Sequence, residues 1–165
     1  METYTTNDEK INQLNIGDKF YFIDPNSSLK DQTYLAEVKG ECESCHDKTV
    51  QSSLMTGRYP HPKHEDMCYT CGMWTDMVEE KPLYKNRIVI NNTLYEIHKD
   101  EPVSRWAGYA GRRFNILFNN GNTKVTHNLF YIGEIPKNFR DRFPNEATFI
   151  SDKEYESLNA NSLEM

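Results

Sequence analysis

Cys42-Glu43-Ser44-Cys45 and Cys68-Tyr69-Thr70-Cys71-Gly72 hold all four cysteines of this 165-residue chain. Two residues between thiolates let a tight turn wrap one metal ion, and two such turns complete a tetrahedral site of the zinc-ribbon or treble-clef kind. The spacing predicts one structural Zn2+ on Cys42, Cys45, Cys68 and Cys71, in a module spanning residues 41–80. Two disulfides or two redox dithiols are the alternatives. Residues 1–16 are polar and acidic, without the apolar core of a signal peptide, so an intracellular chain with reduced thiols is expected. A thioredoxin-like site would place one such pair, not two, in a βαβ setting. Four thiolates leave no open position for water or substrate, so the ion is expected to serve structure rather than catalysis.

Three histidines complicate the ligand count. His46 follows Cys45, and His61 and His64 lie in Tyr59-Pro60-His61-Pro62-Lys63-His64. Each is a candidate replacement for a cysteine, and His61 with His64 is a candidate pair for a second ion. The favoured expectation is an exposed loop stiffened by Pro60 and Pro62, its histidines solvated. Gly72 is expected to supply a positive backbone angle for the second knuckle. Trp74 with Met77 or Val78 has the spacing of a treble-clef helix, a ribbon strand being the equal alternative. Trp74 is expected to pack over the metal module.

Outward from this module, 165 residues suit one domain, or one domain with a small insertion. Ten Tyr, eight Phe and two Trp with few long helical patterns favour β structure. No apolar run approaches membrane-spanning length, so no membrane partner is expected. The net charge of −6 is uneven: −6 over residues 1–47, −1 over 48–102, +5 over 103–144 and −4 over 145–165. Bulk nucleic acid should therefore be repelled, and any binding to it would depend on a local patch.

Taken in order, a short helix over Asp8–Leu14, capped by Thr6 or Asn7, precedes a strand in Gly17–Pro25 and a second, around Tyr34–Val38, that runs into the first knuckle. That opening resembles small SH3-like barrels. Lys48–Leu54 is expected as a ribbon arm and 55–67 as a surface loop. Arg87–Ile90, Asn91-Asn92 and Thr93–Ile97 read as a hairpin on a two-residue turn. Strands follow at Phe114–Phe118, Thr123–His127 and Leu129–Ile132, then a helical turn over Lys137–Arg142 and a strand over Ala147–Ile150. The whole is expected to be α+β and β-rich: a barrel-like or half-barrel body from 1–40 (a helix and strands) and 81–151, with 41–80 inserted and an acidic, flexible tail over 152–165.

Gly111-Arg112-Arg113-Phe114-Asn115-Ile116-Leu117-Phe118, Thr126-His127-Asn128-Leu129, Gly133-Glu134-Ile135-Pro136, Phe139-Arg140-Asp141-Arg142 and Pro144-Asn145-Glu146-Ala147-Thr148-Phe149 resemble the C-terminal signature of small uncharacterised bacteriophage-encoded proteins. The Ile88–Ile97 hairpin fits the same pattern, and the likeness covers about residues 86–150. The chain departs from it at Phe130, where Trp is expected. The resemblance implies a phage or mobile-element origin and a place in the bacterial cytoplasm, and transfers no catalytic residue.

Three functional classes follow. The preferred one is a non-enzymatic protein that binds a host protein of transcription, replication or defence, presenting a loop such as Thr56–Glu65 from a rigid zinc scaffold. The alternative is a DNA- or RNA-binding protein in which Arg105, Arg112, Arg113, Lys124, Arg140 and Arg142 meet phosphates and Trp106, Tyr109 or Tyr131 stack on bases. Against it, Arg140 can pair with Asp141, the other arginines can hold carboxylates of the acidic flanks, and strand alternation would set Arg112 and Arg113 on opposite faces. The third is a small nuclease or hydrolase using His98, His127 and Asp100 or Asp141. No HExxH, GxSxG or phosphate-loop spacing accompanies it.

Overall fold

The computed structural model describes residues 1–26, 28, 32–97 and 113–163. His98, Asp100, Arg105, Trp106, Tyr109 and Arg112 lie outside the described residues. The fold is mixed α+β and strand-rich, 36% strand against 22% helix, with a curled half-barrel sheet. The chain divides into two compact units, residues 1–77 and 78–165.

In the first unit, β1 (Thr3–Thr5), β2 (Lys19–Ile23), β3 (Tyr34–Glu41) and β4 (Lys48–Ser52) form a sheet in that order, β1 parallel to β2 and the rest antiparallel. The alternation in Lys19-Phe20-Tyr21-Phe22-Ile23 turns Phe20 and Phe22 inward, where they pack with Ile11, Ala36, Val38 and Val50. Strand β1 is too short for its pattern to be legible; backbone pairing holds it, Tyr21 N donating to Glu2 O at 2.9 Å, together with Tyr4, which packs against the core edge-on to Phe20. The expected N-terminal helix is a 3-10 turn over Glu9–Gln13, capped by Asp8, whose Oδ1 accepts from Lys10 N at 3.0 Å. A register shift between Val38 and Gly40 marks a bulge in β3 just before the first cysteine pair. Helix α1 (Tyr69–Glu80) begins within the second pair, between Cys68 and Cys71.

The second unit contains β5 (Arg87–Ile90), β6 (Thr93–Ile97), β7 (Phe114–Phe118), β8 (Thr123–Thr126), β9 (Leu129–Glu134) and β10 (Ala147–Phe149), in the order β8-β7-β10-β5-β6-β9. Asn91 and Asn92 turn the β5–β6 hairpin at φ +51° and +63°, left-handed values that asparagine tolerates. Ile88, Ile90, Ile116, Leu129 and Ala147 form the core, with Phe114, Phe118 and Phe149 against it. The strands of 1–40 and of 81–151 thus lie in different sheets, and the cysteine segment shares its unit with β1–β4.

The acidic tail, expected to be flexible, is instead helix α2 (Asp152–Leu163). Ser151 caps it, accepting from Glu154 N at 3.1 Å, and Asp152 and Glu154 occupy the first turn, where the helix dipole favours negative charge. Asn115 Nδ2 donates to Asp152 Oδ1 at 2.5 Å and Thr123 Oγ1 to Asn159 Oδ1 at 2.8 Å, tying the helix to β7 and β8.

Many residues between Thr126 and Glu146 have structural work. Asn145 Oδ1 accepts from Asn92 N at 2.8 Å, and its carbonyl accepts from Asn119 Nδ2 at 2.8 Å, so one residue braces two turns. Glu146 pairs with Lys81 at 2.6 Å, Thr126 Oγ1 accepts from Asn128 N, and Ile135, Phe139 and Phe143 are buried.

Candidate metal centre

The first cysteine pair sits where β3 turns into β4. Cys42 N donates to Asp47 O at 2.8 Å and His46 N to Cys42 O at 2.9 Å, closing the knuckle. His46 holds the left-handed position at φ +66°, the conformation expected at Gly72. Asn12 and Arg58 brace the turn from outside. Asn12 Nδ2 donates to Asp47 Oδ1 at 3.0 Å, while Asn12 Oδ1 accepts from Lys48 N at 3.0 Å and Arg58 Nη1 at 2.6 Å.

The second pair sits at the start of α1. Cys68 precedes the first helical residue and Cys71 lies in the first turn, with Cys71 N 3.5 Å from Cys68 Sγ and donating toward it. A helix start is a favourable place for thiolates, because its unpaired N–H groups and dipole attract negative charge. A hairpin knuckle facing a helix-borne pair is the treble-clef arrangement, not the ribbon.

The four sulfur atoms all lie within 4.8 Å of one another, and Cys42, Cys68 and Cys71 are buried. Cys45 Sγ and Cys68 Sγ are 3.8 Å apart. Metal–sulfur bonds of about 2.3 Å in a tetrahedron require sulfur–sulfur edges of about 3.8 Å, so this group can hold one metal ion; an iron–sulfur cube would spread the sulfurs farther. Hydrogen bonding with the Cys45 and Cys71 sulfurs, reinforced by burial, pushes the Cys68 thiol far above its ordinary range. A bound cation reverses that preference and takes the ligand as thiolate.

The loop histidines, expected to be solvated, are buried at His61 and half-buried at His64. His61 is 6% exposed and lies against Tyr69 and His64, ring centroids 5.4 and 5.0 Å away. Its Nδ1 accepts from Lys63 N at 3.1 Å and His64 N at 3.3 Å, which leaves Nε2 as the ring donor, 3.9 Å from Asp76 Oδ2. His64 Nε2 contacts Asp76 Oδ1 at 2.8 Å, and this hydrogen bond holds the Asp76 carboxyl below its usual range. Gly72 is helical, and its role is close approach: a Cβ there would lie 2.3 Å from His61 Cγ. Sequence reading missed His61, Asp76 and Gly72 as one clamp between loop and helix; the pair of prolines beside His61 was the available signal. Trp74 is buried, as expected.

The described members of the basic set have different neighbours. Arg113 Nε donates to Asn115 Oδ1 at 3.1 Å and lies 3.9 Å from Asp152 Oδ1. Lys124 lines a cavity with Lys85, Arg87 and Glu146. Arg142 stacks over Phe139 at 5.4 Å, and no ion pair joins Arg140 to Asp141 among the described residues, Arg140 Nε being buried without a hydrogen-bond partner there. His127 is exposed in the turn between β8 and β9. No described helix is long and apolar enough to cross a membrane. No family model, curated protein or solved structure matches the chain.

Proposed function

We propose that this chain is a non-catalytic, zinc-stabilised protein of phage or mobile-element origin that binds a host protein of transcription, replication or defence in the bacterial cytoplasm. The observation that carries the reading is the closed, largely buried four-thiol group, which offers an ion four ligands and leaves it no open position. Zinc suits an all-thiolate tetrahedron. The residues that would hold it are Cys42, Cys45, Cys68 and Cys71, and the ion would join the β3–β4 turn to the start of α1.

The loop from Thr56 to Glu65 supports a recognition role. Val50 N donates to Arg58 O at 2.9 Å, Thr70 N to Gly57 O at 3.2 Å and His61 N to Met67 O at 3.1 Å, while Pro62, Lys63 and Glu65 remain exposed. A surface already ordered loses little entropy on binding. The DNA- or RNA-binding reading has less support, because Arg113 is engaged with Asn115 and Asp152 and Arg142 with Phe139.

The test is affinity capture of the tagged full chain from bacterial lysate, with and without nuclease, at low and moderate salt, beside metal analysis of the purified protein. One equivalent of zinc and a single stoichiometric host protein retained despite nuclease is the expected result. Nucleic acid retained only at low salt, without a stoichiometric protein, would overturn it in favour of phosphate binding.

A further inference from the structure

A cleft of about 610 Å³ opens in the second unit between β6, β7, β9, β10 and the start of α2. Its volume lies within the range of small-ligand sites, about 300–1,000 Å³. Tyr95, Phe114, Tyr131 and Phe149 supply its walls. Tyr95 meets two of the other rings at steep angles, Tyr131 at 6.1 Å and 76° and Phe149 at 5.7 Å and 82°, while Phe114 is tilted at 40° to Phe149, 5.8 Å away. Such a corner offers one face and one edge to an inserted flat ring, the two arrangements aromatic groups prefer. Tyr131 is 57% exposed, so much of that ring is uncovered.

The mouth of the cleft is polar and built around Asn115, which is buried. Asn115 Oδ1 accepts from Arg113 Nε and Asn115 Nδ2 donates to Asp152 Oδ1, so one amide holds a guanidinium and a carboxylate side by side. Among the described residues the two terminal nitrogens of Arg113 donate to no hydrogen bond, and Asp152 Oδ2 accepts none. The mouth therefore offers paired donors beside an acceptor. Its net charge is near zero, which discriminates against a bare anion: Asp152 repels what Arg113 attracts. A ligand must gain from the aromatic walls as well.

We propose that this cleft binds a nucleotide, its base inserted in the aromatic corner, an N–H on the base edge donating to Asp152 and its phosphate accepting from Arg113. The inference is independent of the host-protein reading and concerns a different unit of the chain. A free mononucleotide and one unstacked residue of a single strand present the same chemistry.

The test is NMR titration of the full zinc-loaded chain with adenosine 5′-monophosphate and uridine 5′-monophosphate, observing the ring protons of Tyr95, Phe114, Tyr131 and Phe149. Adenosine, inorganic phosphate, N-acetyltryptophanamide and a ten-residue single-stranded oligonucleotide serve as comparisons. The expected result is saturable shifts of these rings with the monophosphates, weaker binding of adenosine and none of inorganic phosphate. Tyr131→Ala should weaken monophosphate binding about tenfold, a typical loss for one stacking ring. Arg113→Gln, which removes the phosphate donors, should reduce the monophosphate to the affinity that adenosine has for the same variant. The methyl shifts of Ile90 and Ile116 verify that each variant is folded, and Tyr131→Phe, which keeps the ring, should bind like the parent. Tighter binding of the oligonucleotide assigns the source to a strand; equal binding assigns it to free nucleotide. Absence of ring shifts at millimolar monophosphate, equal shifts with inorganic phosphate, or preferential binding of N-acetyltryptophanamide would each overturn the proposal.

Discussion

Gly72→Ala should destabilise the first unit, although the same exchange inside an exposed helix stabilises by about 1 kcal/mol. A Cβ at residue 72 would stand 2.3, 2.4 and 2.7 Å from His61 Cγ, Cδ2 and Cβ, where ordinary contacts begin near 3.4 Å. The imidazole would have to retreat by roughly 1 Å, and it has no easy direction. Two backbone N–H groups hold its Nδ1, Tyr69 and His64 flank the ring, and His61 N is bonded to Met67 O. Overpacking of a fixed group costs about 1–3 kcal/mol, and the backbone anchoring of His61 places it at the upper end. Subtracting the helix gain leaves a net loss of about 2 kcal/mol. For a unit of this size that is a fall on the order of 10 °C in Tm. The assay is thermal unfolding of zinc-loaded protein followed by circular dichroism, with Gly72→Ala compared against His61→Ala and the double variant. In the double variant the clash is gone, so Gly72→Ala should there be neutral or stabilising. A rise in Tm for the single variant would refute the reasoning and return His61 to a solvated loop.

The metal centre gives a second expectation: Cys42→Ser or Cys71→Ser should lose the ion, and chelation of the parent should unfold the first unit, with a loss on the order of 10 kcal/mol; unchanged metal content would remove that cysteine from the ligand set. Asp76→Asn should cost under about 1 kcal/mol at pH 7, because the Asp76 contact with His64 is partly solvated. Since the Asp76 carboxyl is held low by His64, that stabilisation is present above the free-acid value near pH 4 and lost as pH falls through the lowered one, so parent and variant should converge in acid; a gap that widens in acid would contradict this. Truncation after Ile150 should lower the stability of the second unit by about 1–3 kcal/mol, since it removes the α2 partners of Asn115 and Thr123. An unchanged melting curve would show the helix to be dispensable.

The sequence by itself determined what local chemistry determines. Paired CxxC spacing marked the four sulfurs that the fold gathers within 4.8 Å. Alternation located β2, β7 and the β5–β6 hairpin, and Asn91-Asn92 identified its turn, because side-chain period and left-handed tolerance are properties of neighbouring residues. Strand β1 escaped because three residues with one packed side chain, Tyr4, are too few to show a period. The tail escaped because its acidic composition resembles disorder, while Ser151 and the anchors on Asn115 and Thr123 make it a helix. Gly72 and His61 escaped for the same reason: whether a glycine serves conformation or proximity depends on what lies against it, eleven residues away in sequence. Only the tertiary structure decided that His61 is buried, that Arg113 is held beside Asp152 by Asn115, and that four aromatic residues from four strands enclose one cleft. Those groups are distant along the chain, and chain pairing order, which no local pattern encodes, brings them together.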